Sequence, residues 1–528
     1  MTERGRVGLA LAVIVLAATA LRFWGLGYGL PNLMARPDEE LTTGKALELS
    51  LGHIRDPGVS PYPSLVYYLD AFALSSWRRA GVFLGAYGDT EGFLVDLAVR
   101  HPGLHFTICR VVGALLGAAT VPAVFLAGFH GYRRRSVGLL ASLLVGVNFL
   151  HARDSHFATV DVPMTFFVTV AMAFALRGAG TLSRRDILTS AFFGGLAASA
   201  KYNAVVVALC PAVAAAHNLL GRTAEARRKA LVTLVLVGVV TAVTFALTSP
   251  YCVLRWRDVS HGLARTKALL FGNPGPPAWQ VHLSTTLPGA FGWPGFVLAL
   301  AGFVRAVWKR RPADLVVLAF VVPCFISMAG ITWVLPRYPI PLVPPLALLA
   351  AEAALSPAAK WRAPWLAAAG LAAALPPLVK IVSYDRLATQ ADTRVLAAEW
   401  VAANVSPRTR IAVCRGYGAP AVNADHRRPP AFKPAEVPCT VDAIRGTGAS
   451  YVIVHDHPQV RFFHPSDAVL RWLGAEARPV AVFDPFRKGA EDAFFFGSDA
   501  FYIPYSGFGA VERGGPIVTI WRLVNVGS

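Results

Sequence analysis

Arg36-Pro37-Asp38-Glu39-Glu40 stands about ten residues beyond the end of the first long apolar segment. A carboxylate cluster just outside such a segment can do acid/base work at the edge of a lipid layer. Pro37 fits the first turn of a helix, where its missing N–H costs nothing, and acidic residues there suit the helix dipole. The same residues could do no more than start an amphipathic helix running to Leu51. Capping and catalysis both stay open on this stretch alone. What separates them is the side of the membrane it faces and what else lies on that side.

The rest of the chain supplies the membrane. Hydrophobic residues make up 55% of 528, and several apolar runs reach the ~17–25 residues that cross a bilayer. Eleven spans are predicted, at about 7–28, 107–129, 136–151, 160–177, 187–202, 203–220, 229–248, 288–308, 313–331, 338–355 and 363–382. Ala18-Thr19-Ala20 resembles a signal-peptidase site, but the apolar run continues past it through Leu21, Phe23 and Trp24, which favours a retained anchor.

The formal charge of +19 invites a nucleic-acid reading, and its distribution argues against one. Residues 383–528 carry 16 basic and 14 acidic residues, so almost all the excess lies in the first 382. There it sits in short connections: Arg4 and Arg6; Arg133, Arg134 and Arg135; Arg177, Arg184 and Arg185; Arg222, Arg227, Arg228 and Lys229; Arg305, Lys309, Arg310 and Arg311; Lys360 and Arg362. This alternation is the positive-inside pattern. It puts the N-terminus inside and, with an odd number of spans, residues 383–528 outside. No basic stripe interleaved with aromatics suggests a nucleic-acid groove.

Acidic residues run the other way, concentrated in the outer loop 29–106. That loop also carries Pro61-Tyr62-Pro63-Ser64-Leu65 and an aromatic, apolar stretch, 66–81, expected to lie at the interface as a helix. A second outer loop, 249–287, begins Ser249-Pro250-Tyr251. The chain therefore divides into a membrane domain, 1–382, and an extracytoplasmic α/β domain, 383–528. In the latter, 391–404 reads as a helix, 410–414, 451–455, 480–483 and 517–524 as strands, and another helix starts near Ser466.

Beside the Asp38 cluster, the chemistry-bearing stretch is His151-Ala152-Arg153-Asp154-Ser155-His156-Phe157-Ala158-Thr159-Val160-Asp161-Val162-Pro163, joining the third and fourth spans outside. Asp161 lies at the end of a span, where an ionisable residue is expensive and functional by default. Its plainer role is to cap the fourth span. Lys201-Tyr202-Asn203 interrupts an apolar stretch, and Arg337-Tyr338 opens a proline-rich span. Outer cations break the positive-inside pattern, so an anionic partner is expected: a lipid phosphate, or an internal pair with Asp161 or Asp38.

The six cysteines form no zinc spacing; Cys414 and Cys439 could pair outside or remain thiols. Gly416-Tyr417-Gly418-Ala419-Pro420-Ala421 matches a dinucleotide fingerprint, but Pro420 and the polar run after it leave no helix to receive a pyrophosphate. Asn404-Val405-Ser406 is a sequon followed by Pro407, read as coincidence.

In its motifs and their order the chain resembles the C-type (GT-C) glycosyltransferases, in the branch of protein O-mannosyltransferases and the aminoarabinose transferase of lipid A. The resemblance rests on Arg36-Pro37-Asp38-Glu39 (often His-Pro-Asp-Glu in relatives), Tyr62-Pro63-Ser64-Leu65 and Arg110. It continues through Ser155-His156-Phe157 to Asp161-Val162-Pro163, Lys201-Tyr202, Ser249-Pro250-Tyr251 and Arg337-Tyr338. It implies a polytopic helical membrane enzyme of the plasma membrane with its active site outside. That enzyme transfers a sugar from a polyprenyl-phosphate donor to a lipid, glycan or protein acceptor. Asp38, Glu39 and Asp161 are then the catalytic candidates, and Lys201, Arg337 and Tyr338 the donor-phosphate set. Tyr62, His156, Tyr202 and Tyr251 are the remaining substrate contacts. No cofactor is fixed; a divalent cation at the acidic cluster stays open.

A phosphate leaving group needs cations more than a general acid, whereas the acceptor hydroxyl needs a base as it attacks. Direct displacement inverts the anomeric centre. A transporter of lipid-linked sugar or lipid is the competing class, but it should show internal repeats and centrally broken helices.

Overall fold

The computed structural model describes residues 2–524 except 60, 218–222, 273, 357–362, 423–432, 461–463, 488–491 and 500. Arg222, Lys360, Arg362 and the polar run 423–428 lie outside the described residues. The chain forms two compact units. The first takes Met1–Phe23, Leu51–Ala71 and Val111–Val382, and the second Trp24–Ser50, Phe72–Arg110 and Ser383–Ser528.

The first unit is helical. Among the described residues six helices are long and apolar enough to cross a membrane: Glu3–Phe23, Leu104–Tyr132, Asp161–Thr181, Ala224–Thr248, Ala278–Lys309 and Pro312–Ala329. Three expected spans are shorter apolar helices, Arg135–Gly146, Tyr202–His217 and Ile340–Leu355. Each has a physical reason. Asn148 stops the first and caps a separate short helix, Phe149–Asp154, accepting from the His151 N–H. The second begins as a tight 3₁₀ stretch, Tyr202–Ala208, because Lys201 is extended at φ −154°. The third also opens as a 3₁₀ turn, Ile340–Leu342, in the proline-rich segment. The Ala18-Thr19-Ala20 stretch lies inside the continuous helix Glu3–Phe23.

Small residues let these helices approach closely. A Cβ on Gly302 would stand 2.1 Å from the Leu349 carbonyl oxygen, and one on Gly195 2.5 Å from Thr244 Cβ. Gly292, at φ +67°, breaks the helix Leu287–Lys309 two residues before Pro294.

Charge in this unit is sorted by end. The basic connections gather where Arg133 donates to the Gly180 carbonyl at 2.9 Å. Acidic residues found there are paired: Arg311 holds Asp314 at 2.8 Å and Glu352 at 2.7 Å, and Arg177 holds Asp186 at 3.1 Å. Arg305 and Arg134 stand 3.8 and 3.9 Å from Glu352. Helix Asp161–Thr181 runs toward this basic end and Arg184–Ala200 returns from it, so Asp161 and Lys201 share the opposite end.

The second unit contains a five-stranded sheet: β1 (Arg410–Cys414), β2 (Lys433–Val437), β3 (Tyr451–Asp456), β4 (Ala477–Phe483) and β5 (Ile517–Leu523). The order is β2-β1-β3-β5-β4. β1 pairs in parallel with β2 and β3, while β5 is antiparallel to β3 and β4. Strand alternation puts Ile411 and Val413 on one face, against Ala397 and Val401 of helix Thr393–Asn404. Ala412 and Cys414 face the other way, against Ile444, Val469 and Leu473 of helices Val441–Gly446 and Asp467–Glu476. Cys414 and Cys439 form a disulfide, while Cys109, Cys210, Cys252 and Cys324 are buried thiols.

Candidate active site

Charges at the end of the helical unit opposite its basic connections converge. Asp161 opens its helix with only 1% of its side chain exposed, and Lys201 Nζ donates to its Oδ1 at 2.7 Å. Arg337 Nε stands 3.9 Å from Oδ2. The Lys201 ammonium also lies over two phenol rings, 5.8 Å from the centroid of Tyr62 and 5.7 Å from that of Tyr338. Two cations thus lie within 3.9 Å of one carboxylate in a largely buried setting. Two cationic donors gathered at one helix end are suited to an anion. Five of the expected site residues meet here: Tyr62, Asp161, Lys201, Arg337 and Tyr338.

The other three expected substrate contacts have structural partners. Tyr202, next in sequence to Lys201, points elsewhere; its hydroxyl donates to the Val59 carbonyl and lies 3.3 Å from Cys252 Sγ. Tyr251 packs on the same small core of Val59, Cys252 and Val259. Ser249 Oγ accepts from the Ser64 N–H at 3.1 Å, so the two outer-loop motifs are tied together. His156 Nδ1 bonds the carbonyls of Ala152 and Arg153 at 3.0 and 3.1 Å, closing the short helix before Asp161.

The acidic turn lies in the second unit. Asp38 adopts φ +72°, a left-handed conformation that costs a non-glycine residue ~1–2 kcal/mol. Both neighbours explain how it is held. Arg36, 1% exposed, donates to Asp499 Oδ1 at 2.9 Å and lies over the Phe501 ring. Glu39 is fully buried, with Arg110 Nε and Nη2 each 2.7 Å from one of its oxygens. Arg110 spends its remaining nitrogen on the carbonyls of Leu26 and Tyr28, at 2.7 and 2.9 Å. The bidentate pairing makes Glu39 a fixed anchor, and Asp38 is fastened on both sides into a sparsely populated backbone state, the kind of strain that clusters at functional sites. Thr42 bonds the Asp38 carbonyl through both N–H and hydroxyl, so the helix Glu39–Leu51 starts there as expected.

Glu40 was not among the expected site residues. Its Oε1 accepts from the Tyr417 hydroxyl at 2.8 Å, while Oε2 is buried and takes no hydrogen bond among the described residues. Burial raises this carboxyl above its ordinary range, and the Tyr417 hydrogen bond lowers it in part. Three consecutive carboxylates were the only signal in sequence. Nothing there announced Arg36–Asp499, whose members are 463 positions apart. Among the described residues no group of three or more His, Cys, Asp or Glu side chains is arranged to hold a metal ion.

Residues 99–257 match the family described as dolichyl-phosphate-mannose-protein mannosyltransferase; the matched stretch contains Arg110, Asp161, Lys201, Tyr202 and Tyr251. No curated protein matches in a direct sequence comparison. Among solved structures, ArnT from Cupriavidus metallidurans in the apo state is 14% identical, with 98% of each chain covered and a TM-score of 0.55. The same protein bound to undecaprenyl phosphate is 14% identical, with full coverage of both chains and a TM-score of 0.53. The Archaeoglobus fulgidus oligosaccharyltransferase AglB, in complex with an inhibitory peptide and a dolichol-phosphate, is 13% identical over 85% of this chain and 69% of its own, with a TM-score of 0.51. The family match over residues 99–257 and the architecture over the full length agree that this protein has the fold of the GT-C glycosyltransferase superfamily.

Proposed function

We propose that this protein is a membrane glycosyltransferase that moves a sugar from a polyprenyl phosphate to a hydroxyl-bearing acceptor on the outer face of the plasma membrane. The observation that carries the reading is the Asp161–Lys201–Arg337 group, which gathers two cations at the end of the helices opposite the arginine-rich connections. A lipid phosphate fits it: the tail needs the apolar helices, and the headgroup needs buried donors. Tyr62 and Tyr338 flank the ammonium and position it.

In the reaction, the acceptor oxygen attacks the anomeric carbon while the bond from that carbon to the phosphate oxygen breaks. Both electrons of that bond leave with the phosphate, which stays on its carrier and is stabilised by Lys201 and Arg337. The acceptor proton passes to a carboxylate, and Asp38 takes this role because its backbone is fastened on both sides. An Asp is ionised at neutral pH, with an ordinary pKa of ~3.9, so proton transfer accompanies attack instead of preceding it. Glu39, locked to Arg110, acts as a positioning residue. Asp161 sets the charge of the phosphate site. Displacement in one step inverts the anomeric configuration.

The positive-inside distribution supports an inner N-terminus and an outer C-terminal sheet, and the Cys414–Cys439 disulfide suits an oxidising compartment. Engineered surface cysteines between 383 and 528 should react with an impermeant reagent on intact cells; labelling only after permeabilisation reverses the orientation. The activity is tested with purified protein, a panel of radiolabelled polyprenyl-phosphate sugars and a membrane extract. Label should move to an acceptor fraction in an Asp38-dependent way. Release of lipid-linked label across a vesicle bilayer without transfer would instead mark a transporter.

A further inference from the structure

The loop after β1 lines a cleft that the transfer chemistry does not use. In α/β sheets the crevice outside the carboxyl ends of parallel strands is where ligands are taken. At the carboxyl ends of β1 and β2 there is a cavity of about 550 Å³, lined among others by Asn32, Met34, Arg415, Tyr417, Glu436 and Pro438. This lies within the ~300–1,000 Å³ of ordinary small-molecule sites.

The cleft is built in advance of any ligand. Arg394, fully buried and paired with Asp392 at 2.7 Å, donates to the Tyr417 carbonyl at 2.7 Å and reaches the Met34 carbonyl at 3.5 Å. Asn32 Nδ2 donates to the Ala419 carbonyl at 3.2 Å, joining the two walls. The Cys414–Cys439 disulfide clamps the strand ends beneath. Gly418 passes so close to His455 that a Cβ would lie 2.3 Å from the imidazole Nδ1, so the loop's path depends on glycine.

The lining selects the ligand class. One guanidinium and one carboxylate, Arg415 and Glu436, leave no net charge, which disfavours a phosphate. The Tyr417 phenol adds a planar polar group whose oxygen can accept from a ligand hydroxyl. Met34, Ala419 and the prolines supply apolar contact. A pyranose presents both surfaces at once, C–H groups on one face and hydroxyls around its rim. We propose that this cleft is a sugar-binding subsite that takes a neutral saccharide unit. Tyr417 connects it to the acidic turn, since its hydroxyl bonds Glu40, two residues from Asp38. Within the proposed transferase the bound unit is the saccharide part of the acceptor; the binding itself does not rest on that reading.

The test is saturation-transfer difference NMR on the full-length protein in a detergent without a sugar headgroup. The probes are methyl α-mannopyranoside, methyl β-galactopyranoside and N-acetylglucosamine, with inorganic phosphate and a Gly-Ser-Gly amide as competitors of other chemistry. At least one glycoside should show transfer that falls fivefold or more in Arg415→Ala and Tyr417→Ala and persists in Lys201→Ala. Arg415 and Glu436 are exposed, so Arg415→Ala and Glu436→Ala keep the test alive where Tyr417→Ala fails to fold. Absence of transfer from all three glycosides overturns the proposal. So does signal unchanged in the cleft variants, or displacement by phosphate or the peptide. Because no turnover is needed, an inactive transferase leaves this result intact.

Discussion

Asp161→Asn and Lys201→Ala should act in opposite directions on donor-lipid binding, although they break the same contact. At 2.7 Å the Lys201–Asp161 attraction is about 6 kcal/mol before desolvation, taking an effective dielectric constant of ~20. A phosphate hydrogen-bonded to the same ammonium stands within ~5.5 Å of the Asp161 carboxylate, two hydrogen-bond lengths away. Their repulsion on the same scale is about 3 kcal/mol. Asp161→Asn removes it while keeping the side-chain size and an oxygen for Lys201. A polyprenyl phosphate should then bind ~5- to 150-fold more tightly, for a net ~1–3 kcal/mol. Lys201→Ala removes a charge-assisted contact and should weaken binding ~10- to 150-fold. Without ligand, Asp161→Asn removes the carboxylate that holds Lys201 and should lose ~3–5 kcal/mol of stability, part of which the added lipid restores. The measurements are a titration of undecaprenyl phosphate followed by tryptophan fluorescence, and thermal midpoints with and without the lipid. Weaker binding in both variants, with no extra stabilisation of Asp161→Asn by lipid, would refute the reasoning and leave the group as an internal salt bridge alone.

Asp38→Asn should lower transfer ~10²–10⁴-fold with a stability change of no more than ~1 kcal/mol, since Asn accepts the left-handed conformation as readily as Asp; near-normal turnover removes Asp38 as the base. Arg110→Met strands the Glu39 carboxylate and the carbonyls of Leu26 and Tyr28, and should cost ~3–5 kcal/mol in a denaturation experiment; a loss under 1 kcal/mol contradicts the anchor role. Burial pushes the imidazoles of His455 and His457 from 6.5 down to about 4. The stability they contribute is full above pH ~6.5 and lost as pH falls through ~4, up to ~3 kcal/mol each. His457→Gln should flatten the thermal midpoint over that interval, and an unchanged slope counts against it. Glu40 has the opposite sign: its raised carboxyl favours the fold below the ordinary carboxylate pKa and loses that contribution as pH rises through the raised value. Glu40→Gln should therefore melt higher than the parent at neutral pH and alike in acid; a lower neutral midpoint would reverse the assignment.

Hydropathy made the membrane class legible because burial in lipid is read residue by residue. It failed where the backbone departs from a straight helix. Residues 203–220 are apolar enough for a span, yet the extended Lys201 forces a 3₁₀ start that composition does not encode. In the sheet, β1, β3, β4 and β5 lie at four expected strands. β2 was missed because Pro434 and Glu436 read against a strand; at the sheet edge proline is tolerated. Among the site residues, Asp161, Lys201 and Arg337 were visible as charges in the wrong place for a membrane protein. A pair with Asp161 was one of the alternatives open to the two cations, and Lys201 makes it; that Arg337, Tyr62 and Tyr338 gather at the same place was not legible, because it depends on which helix ends meet. The roles of Arg36, Arg110 and Glu40 were hidden for the same reason. Each is defined by a partner 71 to 463 positions away, and separation of that size leaves no periodic trace.

The Arg36–Asp499 pair bears on how the protein is made. Its second member is translated 463 residues after its first. Until synthesis has passed Asp499, Arg36 lacks its carboxylate and one of the two fastenings on Asp38 is missing. A nascent or prematurely terminated chain, though already inserted through its leading helices, holds the acidic turn by Arg110 alone. The second fastening is thereby deferred until Asp499 has been made, and fragments left in the membrane by earlier interruption of synthesis carry the turn with one fastening only.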